Sequence, residues 1–416
     1  MMQKKVDTLI IGAGLIGSSV AMHLAQQGQS DVLVVDFDLE GSFSSSELNA
    51  GGVRATWNQP INILSSKLTI DYFAKNAKDV GYHDCGYLWL LNKEKSSSAH
   101  KSKEVQEQLG WPVESWTVDE LRKKVPFIDK TEDIESAIFA PKDGLVNPNL
   151  VKNHFRSKAQ ELGVEFLDRI YVYGLDYQKE ANFSLKVLAK KYPKQFQLEQ
   201  KREFLLGKLS SIGSEKVTIE ANKVVNCAGP WASQLAKILG YNCPSYPLRR
   251  QICIFDCRDV DLTSYGMIVD TSGVYFHPEA TNGLAGYSGA GELKGFNFNY
   301  DGEEYFMEHI WPALYERSSS FERLKHLTGW SGLYEMSPDH SAIIGLVESG
   351  TPSEKKYLGS VYEAHSFSGH GAMHSYAAGL GLAEKMLKGK YETIDFNQLS
   401  SVRFNNNQLV SEGLTI

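Results

Sequence analysis

Three glycines and one acid near the amino terminus have the spacing of a dinucleotide-binding turn. Gly12, Gly14 and Gly17 form a Gly-x-Gly-x-x-Gly pattern, and Asp36 stands nineteen residues after the last of them. In such a pattern the first glycine permits a tight turn, the second lets a pyrophosphate approach the backbone, and the third lets a helix pack on a sheet. The acid can accept hydrogen bonds from a ribose diol and disfavours a 2′-phosphate, hence NADP. The pattern predicts dinucleotide binding without deciding between FAD and NAD.

The surrounding elements must form a β-α-β unit for this pattern to work. Residues 6–11 and 32–35 are short apolar runs suited to buried parallel strands, and residues 18–27 predict a helix that Gly28 ends. The N-terminus of that helix would present free N–H groups and a partial positive charge to a pyrophosphate. A glycine-rich turn in an ordinary β-α-β unit is the alternative interpretation.

Composition and charge exclude several other classes of protein. The chain has 416 residues, 42% of them hydrophobic and 22% charged, with a net charge of −7. These values indicate a globular protein of two to three domains, and the absence of a basic excess argues against nucleic-acid binding. Five scattered cysteines predict reduced thiols, with neither a disulfide framework nor a metal site, in a cytoplasmic protein. We expect no membrane span.

Five further segments carry motifs that follow one another in a recognisable order. They are residues 44–54, 163–172, 224–231, 332–339 and 368–373. Together with the glycine-rich turn they resemble the D-amino-acid oxidase superfamily of FAD enzymes, most closely its sarcosine oxidase, glycine oxidase and dimethylglycine dehydrogenase-like branch. The resemblance covers nearly the whole chain and implies that the dinucleotide is FAD.

The scattered cofactor motifs imply an α/β fold in which a Rossmann-like FAD-binding domain is interleaved with a substrate domain of the α+β type. The FAD-binding domain is predicted at 1–82, 145–236 and 335–416, and the substrate domain at 83–144 and 237–334. Three apolar runs predict strands of an antiparallel sheet in the substrate domain: 86–91, 251–255 and 274–277. The lysine-rich stretch 177–216 is interpreted as a solvated insertion, with a partner-docking surface as the alternative.

The resemblance implies a set of FAD-binding residues drawn from all of these motifs: Gly12, Gly14, Leu15, Ile16, Gly17, Asp36, Ser45, Ser46, Asn49, Ala50, Gly51, Gly52, Val172, Cys227, Ala228, Gly229, Trp231, Gly369, His370, Gly371, Ala372 and Met373. Val172 is expected to contact adenine. A strand at 357–364 and a helix at 371–387 would direct a second helix N-terminus at the flavin and stabilise its anionic reduced form. Because Gly332 stands where relatives have a flavin-attaching cysteine, FAD is expected to be non-covalent.

The family's chemistry implies oxidation of the C–N bond of an amino acid or of a secondary or tertiary amine. Hydride passes to flavin N5, and water hydrolyses the imine that remains. Arg54, Tyr275, Tyr334 and His370 are the candidate catalytic residues. The substrate is a small molecule, and the electron acceptor is left open between O₂, a quinone and a partner protein.

Several positions depart from the sarcosine oxidase pattern. The lysine that assists reaction with O₂ falls near Leu284, which favours a dehydrogenase over an oxidase. The two cations that bind the substrate carboxylate are replaced by Trp57 and Met373, and a pocket histidine by Ser288. His374, Arg249 or Arg250 could replace the carboxylate anchor, although the two arginines were also expected to support the domain junction.

Two other functions remain open at this level. The first is FAD-dependent oxidation of a 2-hydroxy acid at its C–OH group, as some relatives perform. The second is a flavin-binding accessory or assembly subunit with little turnover, which the loss of pocket cations favours.

Overall fold

A computed structural model describes residues 2–177, 185–194, 197–207, 214–289, 291–292, 294–348 and 360–413. Its strands, numbered in chain order, are β1 (Met2–Ile11), β2 (Val32–Val35), β3 (Gly52–Val53), β4 (Tyr87–Leu91), β5 (Glu114–Trp116), β6 (Ser136–Ala140), β7 (Gly144–Leu145), β8 (Glu165–Leu167), β9 (Ile170–Tyr177), β10 (Leu185–Lys191), β11 (Glu215–Asn226), β12 (Tyr246–Asp256), β13 (Met267–Val269), β14 (Val274–Glu279), β15 (Asn282–Tyr287), β16 (Lys325–Met336), β17 (Ile343–Leu346) and β18 (Val361–His365).

The helices in the described ranges are α1 (Leu15–Gln26), α2 (Pro60–Lys75), α3 (Ala77–Val80), α4 (Lys93–Gln108), α5 (Val118–Lys124), α6 (Pro148–Glu161), α7 (Leu198–Leu205), α8 (Ala232–Ile238), α9 (Glu303–Tyr305), α10 (Trp311–Tyr315), α11 (Gly371–Lys388) and α12 (Val402–Asn405). A π-helical turn lies at Phe306–Ile310. Short 3₁₀ turns lie at Gly229–Trp231, Ser319–Phe321 and Asn397–Leu399.

The first sheet has the strand order β17-β18-β11-β1-β2-β8, and β10 and β9 join it through β11. β1 pairs in parallel with β2 and with β11, and β18 pairs in parallel with β11. Strands of a parallel sheet are covered on both faces and are therefore apolar throughout; Leu9, Ile10 and Val34 have no exposed surface. Helix α1 packs against α6 and α11. The predicted α/β fold class is confirmed.

The first helix begins earlier than the sequence predicted. Gly14, in an extended conformation with φ −68° and ψ −167°, is the N-cap residue, so α1 starts at Leu15 rather than at Ser18. The predicted end agrees with the structure: α1 stops at Gln26, and Gly28 follows with φ +91°. This backbone conformation favours glycine because other residues carry a Cβ that is crowded there.

The second sheet has the order β16-β12-β15-β14-β13-β4-β6-β5. The three predicted strands lie in β4, β12 and β14. The pairing is antiparallel as expected, except that β13 runs parallel to β4. These two strands come from distant parts of the chain, so no hairpin turn fixes their relative direction. Phe255, Phe276 and Phe306 fill a separate core beside this sheet.

Strand membership supports the predicted division into two domains, whose boundaries remain a prediction. All strands of the first sheet fall within 1–82, 145–236 and 335–416. Strands of the second sheet fall within 83–144 and 237–334, apart from the last two residues of β16.

The lysine-rich stretch 177–216 joins the first sheet. Its strand β10 pairs with β9 and β11, and its helix α7 reaches the end of β2, where Phe204 stacks on Phe37 at 4.8 Å between ring centroids. Residues 178–184, 195–196 and 208–213 of this stretch lie outside the described residues. The described part of the insertion is therefore packed against the glycine-rich end of the sheet.

Three further sequence expectations concern a strand near the carboxyl terminus, a membrane span and a metal site. β18 begins at Val361, and residues 349–359, which include the start of the predicted strand 357–364, lie outside the described part. Within the described ranges, no helix is both long and apolar enough to cross a membrane. The same ranges hold no group of three or more His, Cys, Asp or Glu side chains placed to bind a metal ion.

Candidate functional site

Two cavities meet between the sheets and form one elongated site. The glycine-rich cavity lies along the turn after β1 and the ends of β2 and β11. The tyrosine cavity lies between the N-terminus of α11 and strands β12, β14 and β16. Five residues line both cavities and form what we call the waist: Leu15, Ile16, Ser45, Ser46 and Glu335.

The glycines after β1 are required by close backbone contacts. A Cβ at Gly12, whose φ is +107°, would lie 2.2 Å from the Cys227 carbonyl oxygen. A Cβ at Gly17 would lie 1.9 Å from the Gly12 carbonyl oxygen, so Gly17 packs the helix and does not line either cavity. Gly14 lines the glycine-rich cavity, and a Cβ there would meet the Ser46 hydroxyl at 2.9 Å. This arrangement fits a pyrophosphate at the N-terminus of α1.

Asp36 lies at the end of β2 in the wall of the glycine-rich cavity. Its Oδ2 accepts a hydrogen bond from the Ala13 N–H at 2.6 Å, and its Oδ1 accepts one from the Asp38 N–H at 2.9 Å. Burial raises the pKa of Asp36, while these backbone donors lower it. Each carboxylate oxygen keeps a second lone pair, so the group fits the predicted ribose contact.

An aromatic group closes the far end of the glycine-rich cavity. Val172, Tyr171 and Leu205 line it, and Phe37 packs between Tyr171 and Phe204. The flat stack of Phe37 on Phe204 and the apolar wall around it suit a planar base such as adenine. Leu205 could not be predicted from the sequence, because its position depends on how α7 folds back on the sheet.

The turn after β11 forms the opposite wall of the same cavity. Cys227, Ala228, Gly229 and Trp231 all line it. Burial and the nearby Glu335 raise the pKa of the Cys227 thiol, which therefore stays protonated. Trp231 stacks on Phe296 at 5.5 Å, and its Nε1 is buried without a hydrogen-bond partner in the described part of the chain. A buried donor of this kind fits a polar ligand in the cavity.

The loop before α11 lines the tyrosine cavity with Gly369, His370, Gly371, Ala372 and Met373. The N-cap residue His370 makes no side-chain capping bond, so the first turn of this 18-residue helix keeps uncapped N–H groups. Gly369 has φ +92°, and a Cβ there would lie 2.4 Å from the Tyr334 ring. The loop therefore brings a helix N-terminus and a tyrosine together in one wall.

Arg54 is buried in the wall of the tyrosine cavity, with 2% of its surface exposed. Its guanidinium carbon lies 3.5 Å from the Trp57 ring centroid and 4.8 Å from that of Trp89, and Nη1 donates to the Thr56 carbonyl at 2.5 Å. Burial lowers its pKa to about 10, partly offset by the nearby Tyr87 and Glu412. Arg54 thus remains a cation at neutral pH.

A buried acid that the sequence analysis missed holds the Arg54 loop. Asp143, directly before β7, accepts hydrogen bonds from the Ala55 N–H at 2.8 Å, the Trp111 Nε1 at 2.9 Å and the Thr56 hydroxyl at 3.1 Å. Burial raises its pKa to about 7, although these donors and Arg54 lower it. An acid in the turn after an apolar strand was the available signal, but turns hold acids commonly.

Two histidines lie on the other side of Trp57. The His370 ring lies 4.1 Å from the Trp57 ring, and the His374 ring 5.6 Å from it. Burial and the charge of Arg54 hold the pKa of His370 well below its usual range and lower that of His374 to about 3. Both imidazoles are therefore neutral, and within the described chain His370 Nδ1 and His374 Nε2 are buried without a hydrogen-bond partner.

Tyr275 and Tyr334 both line the tyrosine cavity, as does Arg250. The Arg250 guanidinium lies 5.4 Å from the Tyr334 ring centroid, and Tyr275 and Tyr334 line the same part of the site. The two adjacent arginines have different surroundings, and the expectation that they support the domain junction stays a prediction. Arg249 is paired with Glu292 and Asp301, each at 2.9 Å, whereas Arg250 makes no ion pair among the described residues.

The remaining predicted positions divide into two groups. Ser45, Ser46, Asn49, Ala50 and Gly52 line the tyrosine cavity. Gly51 lines neither cavity; its φ is +81° and a Cβ there would lie 2.5 Å from the Val146 carbonyl oxygen, so it serves backbone packing. Gly332 lines the tyrosine cavity, and Leu284 is buried in β15 outside it. Seven further residues that were not predicted from the sequence line this cavity: Leu48, Tyr87, Ile252, Met267, Leu333, Glu335 and Phe367.

Comparison with known proteins agrees with this geometry. Residues 7–385 match the protein family described as DAO, FAD dependent oxidoreductase. The chain is 27% identical to FAD-dependent oxidoreductase domain-containing protein 1 of Xenopus laevis over 96% of this chain and 83% of that protein. It is 22% identical to monomeric sarcosine oxidase of Bacillus sp. (strain B-0618), over 94% of each chain. The crystal structure of L-proline dehydrogenase from P. horikoshii superposes with a TM-score of 0.80 at 22% identity, over 98% of this chain and 100% of that one, and so has the same fold.

Proposed function

This chain belongs to the DAO family of FAD-dependent oxidoreductases, and we propose that it oxidises the C–N bond of an amino acid or related amine that carries a carboxylate. FAD, when bound, accepts the hydride that leaves the substrate carbon, and water then hydrolyses the imine. The names of the sarcosine oxidase and proline dehydrogenase relatives support an amine substrate.

The position of Arg250 carries the proposal. A cation in a cavity lined by aromatic rings needs a counter-charge, and among the described residues no carboxylate pairs with it. The substrate carboxylate can supply that charge, and a guanidinium can bind it through two parallel hydrogen bonds. Arg250 would therefore take over the role of the two cations that Trp57 and Met373 replace.

The other polar groups of the cavity have compatible roles. Tyr334 and Tyr275 offer hydroxyls in the cavity that Arg250 also lines, for orienting the substrate. His370 is a neutral imidazole that burial and the Arg54 charge keep unprotonated, so it can hydrogen-bond to the neutral amine of the substrate but is a poor acceptor for an ammonium proton. The N-terminus of α11 and the Arg54 cation would stabilise the negative charge that a bound flavin gains when it is reduced.

The electron acceptor is proposed to be something other than O₂, which makes the protein a dehydrogenase. The lysine through which relatives react with O₂ has no equivalent here, since no lysine is found among the described residues that line the tyrosine cavity. Leu284 stands near the position of that lysine in relatives, and it packs with Ile252 and Ile254. Non-covalent FAD is proposed because Gly332 has no side chain to attach it.

A 2-hydroxy acid is the second candidate substrate. It carries the same carboxylate for Arg250, and the neutral His370 could accept a hydrogen bond from its hydroxyl group. The cavity therefore admits both substrate classes, and only reaction with each class separates them.

Anaerobic reduction of the flavin tests the proposal. The FAD-loaded protein is mixed under argon with N-methyl amino acids, D- and L-amino acids, proline and 2-hydroxy acids, and flavin absorbance is followed at about 450 nm. We expect bleaching by a carboxylate-bearing amine and not by the amine that lacks the carboxylate. Bleaching by hydroxy acids alone would contradict the proposal. Fast reoxidation in air, compared with a quinone or dye acceptor, would contradict the dehydrogenase assignment.

A further inference from the structure

The waist between the two cavities holds one buried carboxylate. Of the five residues that line both cavities, only Glu335 is ionisable. It is the penultimate residue of β16, and 8% of its surface is exposed. The reactions proposed above make no use of it.

The two oxygens of Glu335 have different surroundings. Oε1 accepts a hydrogen bond from the Phe367 N–H at 3.3 Å. Oε2 is buried without a hydrogen-bond partner in the described part of the chain. Gly229 lies near Oε2, and a Cβ there would stand 3.6 Å from it. One oxygen therefore holds the loop before α11, while the other is left without a donor at the waist.

The chemistry of a carboxylate oxygen limits what can meet Oε2. An ionised carboxylate only accepts hydrogen bonds, and a buried acceptor without a donor is costly. Burial raises the pKa of Glu335, and the nearby His365 lowers it. A phosphate oxygen would be repelled by the ionised group. A hydroxyl group is a suitable partner, because it donates without bringing negative charge.

We propose that Oε2 of Glu335 accepts a hydrogen bond from a ribityl hydroxyl of FAD. FAD offers hydroxyls in its ribose and its ribityl chain, and Asp36 at the far end of the glycine-rich cavity suits the ribose. The ribityl chain connects the pyrophosphate to the flavin, so it is the part that must cross the waist between the two cavities. Glu335 would then be both a cofactor contact and the support of the loop before α11.

A double-mutant cycle between protein and cofactor separates these two roles. Apoprotein of the wild type, Glu335→Leu and Glu335→Gln is titrated with FAD and with FAD analogues that each lack one ribityl hydroxyl, following flavin fluorescence. We expect the wild type to bind one of these analogues at least about tenfold more weakly than FAD. Glu335→Leu should bind FAD with a similar loss and no longer distinguish FAD from that analogue, and Glu335→Gln should keep the distinction.

Ser368→Ala is the matched control. The Ser368 hydroxyl accepts the Ser337 N–H at 3.0 Å, so this change loosens the same loop, and Ser368 lines neither cavity. It should weaken FAD and every analogue by the same factor. The proposal is overturned if Glu335→Leu discriminates among the analogues as the wild type does, or if it binds FAD normally.

The wild type and the Gln variant decide the question if Glu335→Leu does not fold. A wild type that binds every analogue as tightly as FAD, or a folded Glu335→Gln variant that has lost the distinction, would equally overturn the proposal. Because the readout is binding alone, failure of the proposed amine oxidation would leave this inference standing.

Discussion

The guanidinium carbon of Arg54 lies 3.5 Å above the ring centroid of Trp57. Trp57 stands three residues after Arg54. At this position the sarcosine oxidase pattern, which the sequence resembles, has a second cation. An aromatic face attracts the first arginine instead of repelling it. Arg54 lines the tyrosine cavity and Trp57 packs behind it, so under the proposed function another residue supplies the positive charge for a substrate carboxylate.

Replacing Arg54 by lysine is expected to slow flavin reduction roughly tenfold or more while FAD stays bound. Lysine keeps the charge but not the planar group that stacks between Trp57 and Trp89. Stopped-flow absorbance under argon measures the rate, and Arg258→Lys, at an exposed surface ion pair, is the control. An unchanged reduction rate with normal FAD retention would refute the assigned role.

Arg250→Gln is expected to raise the apparent Kd for a carboxylate-bearing substrate by roughly 100-fold. The same variant should leave the rate of reduction at saturation within a few fold, because the lost charge positions the substrate rather than reacting with it. Rapid-mixing titrations give both numbers, with Arg258→Gln as control. The anchor assignment fails if the Kd is unchanged, or if a decarboxylated amine loses affinity equally.

Asp143 is expected to make the folded protein less stable as pH rises from about 4 to about 7. Its pKa is raised to about 7 from an ordinary value of 3.8. In this window the native state holds a proton that the unfolded state has lost, so raising the pH favours unfolding, by up to about 4 kcal/mol for the whole shift. Urea unfolding of the wild type and Asp143→Asn checks this. The difference in stability between the two should change across this window, and parallel curves would contradict the prediction.

Lys201→Ala is expected to weaken FAD binding about three- to tenfold. Lys201 Nζ lies 2.8 Å from Asp38 Oδ1, and this ion pair holds α7 at the end of the glycine-rich cavity. Fluorescence titration of apoprotein measures the affinity. Lys186→Ala, which removes the Asp176 ion pair on the same insertion away from the cavity, should bind FAD normally. Equal affinities of the two variants would leave α7 without a role in cofactor binding.

Gly14→Val is expected to give a colourless protein. Even a Cβ at this position would meet the Ser46 hydroxyl at 2.9 Å, and two further methyl groups would fill the space that a pyrophosphate needs. The flavin content after purification is the measurement. Gly174→Ala, where a Cβ meets only ordinary contacts beginning at 3.5 Å, should remain yellow; a yellow Gly14→Val protein would exclude the proposed approach of the pyrophosphate.

The local pattern at the amino terminus was sufficient to predict the first β-α-β unit. Val32–Val35 is a strand with the predicted bounds, and Gly28 stands just past the helix as expected. These features depend on residues close together in sequence. Apolar runs, helix stops and glycine spacing act over a few residues, so sequence alone records them.

The tertiary structure decided which polar groups reach the cavities. Arg249 and Arg250 are adjacent on β12, and successive side chains of a strand point to opposite faces. The register of β12 with β16 places Arg250 opposite Gly332 in the cavity wall, and leaves Arg249 to Glu292 and Asp301. Asp143 and Glu335 likewise gain their roles from segments distant in sequence. The first β-α-β unit and the cofactor motifs could be predicted from the sequence because they depend on residues close together in the chain. Strand register and long-range packing, in contrast, determined which side chains surround the proposed substrate.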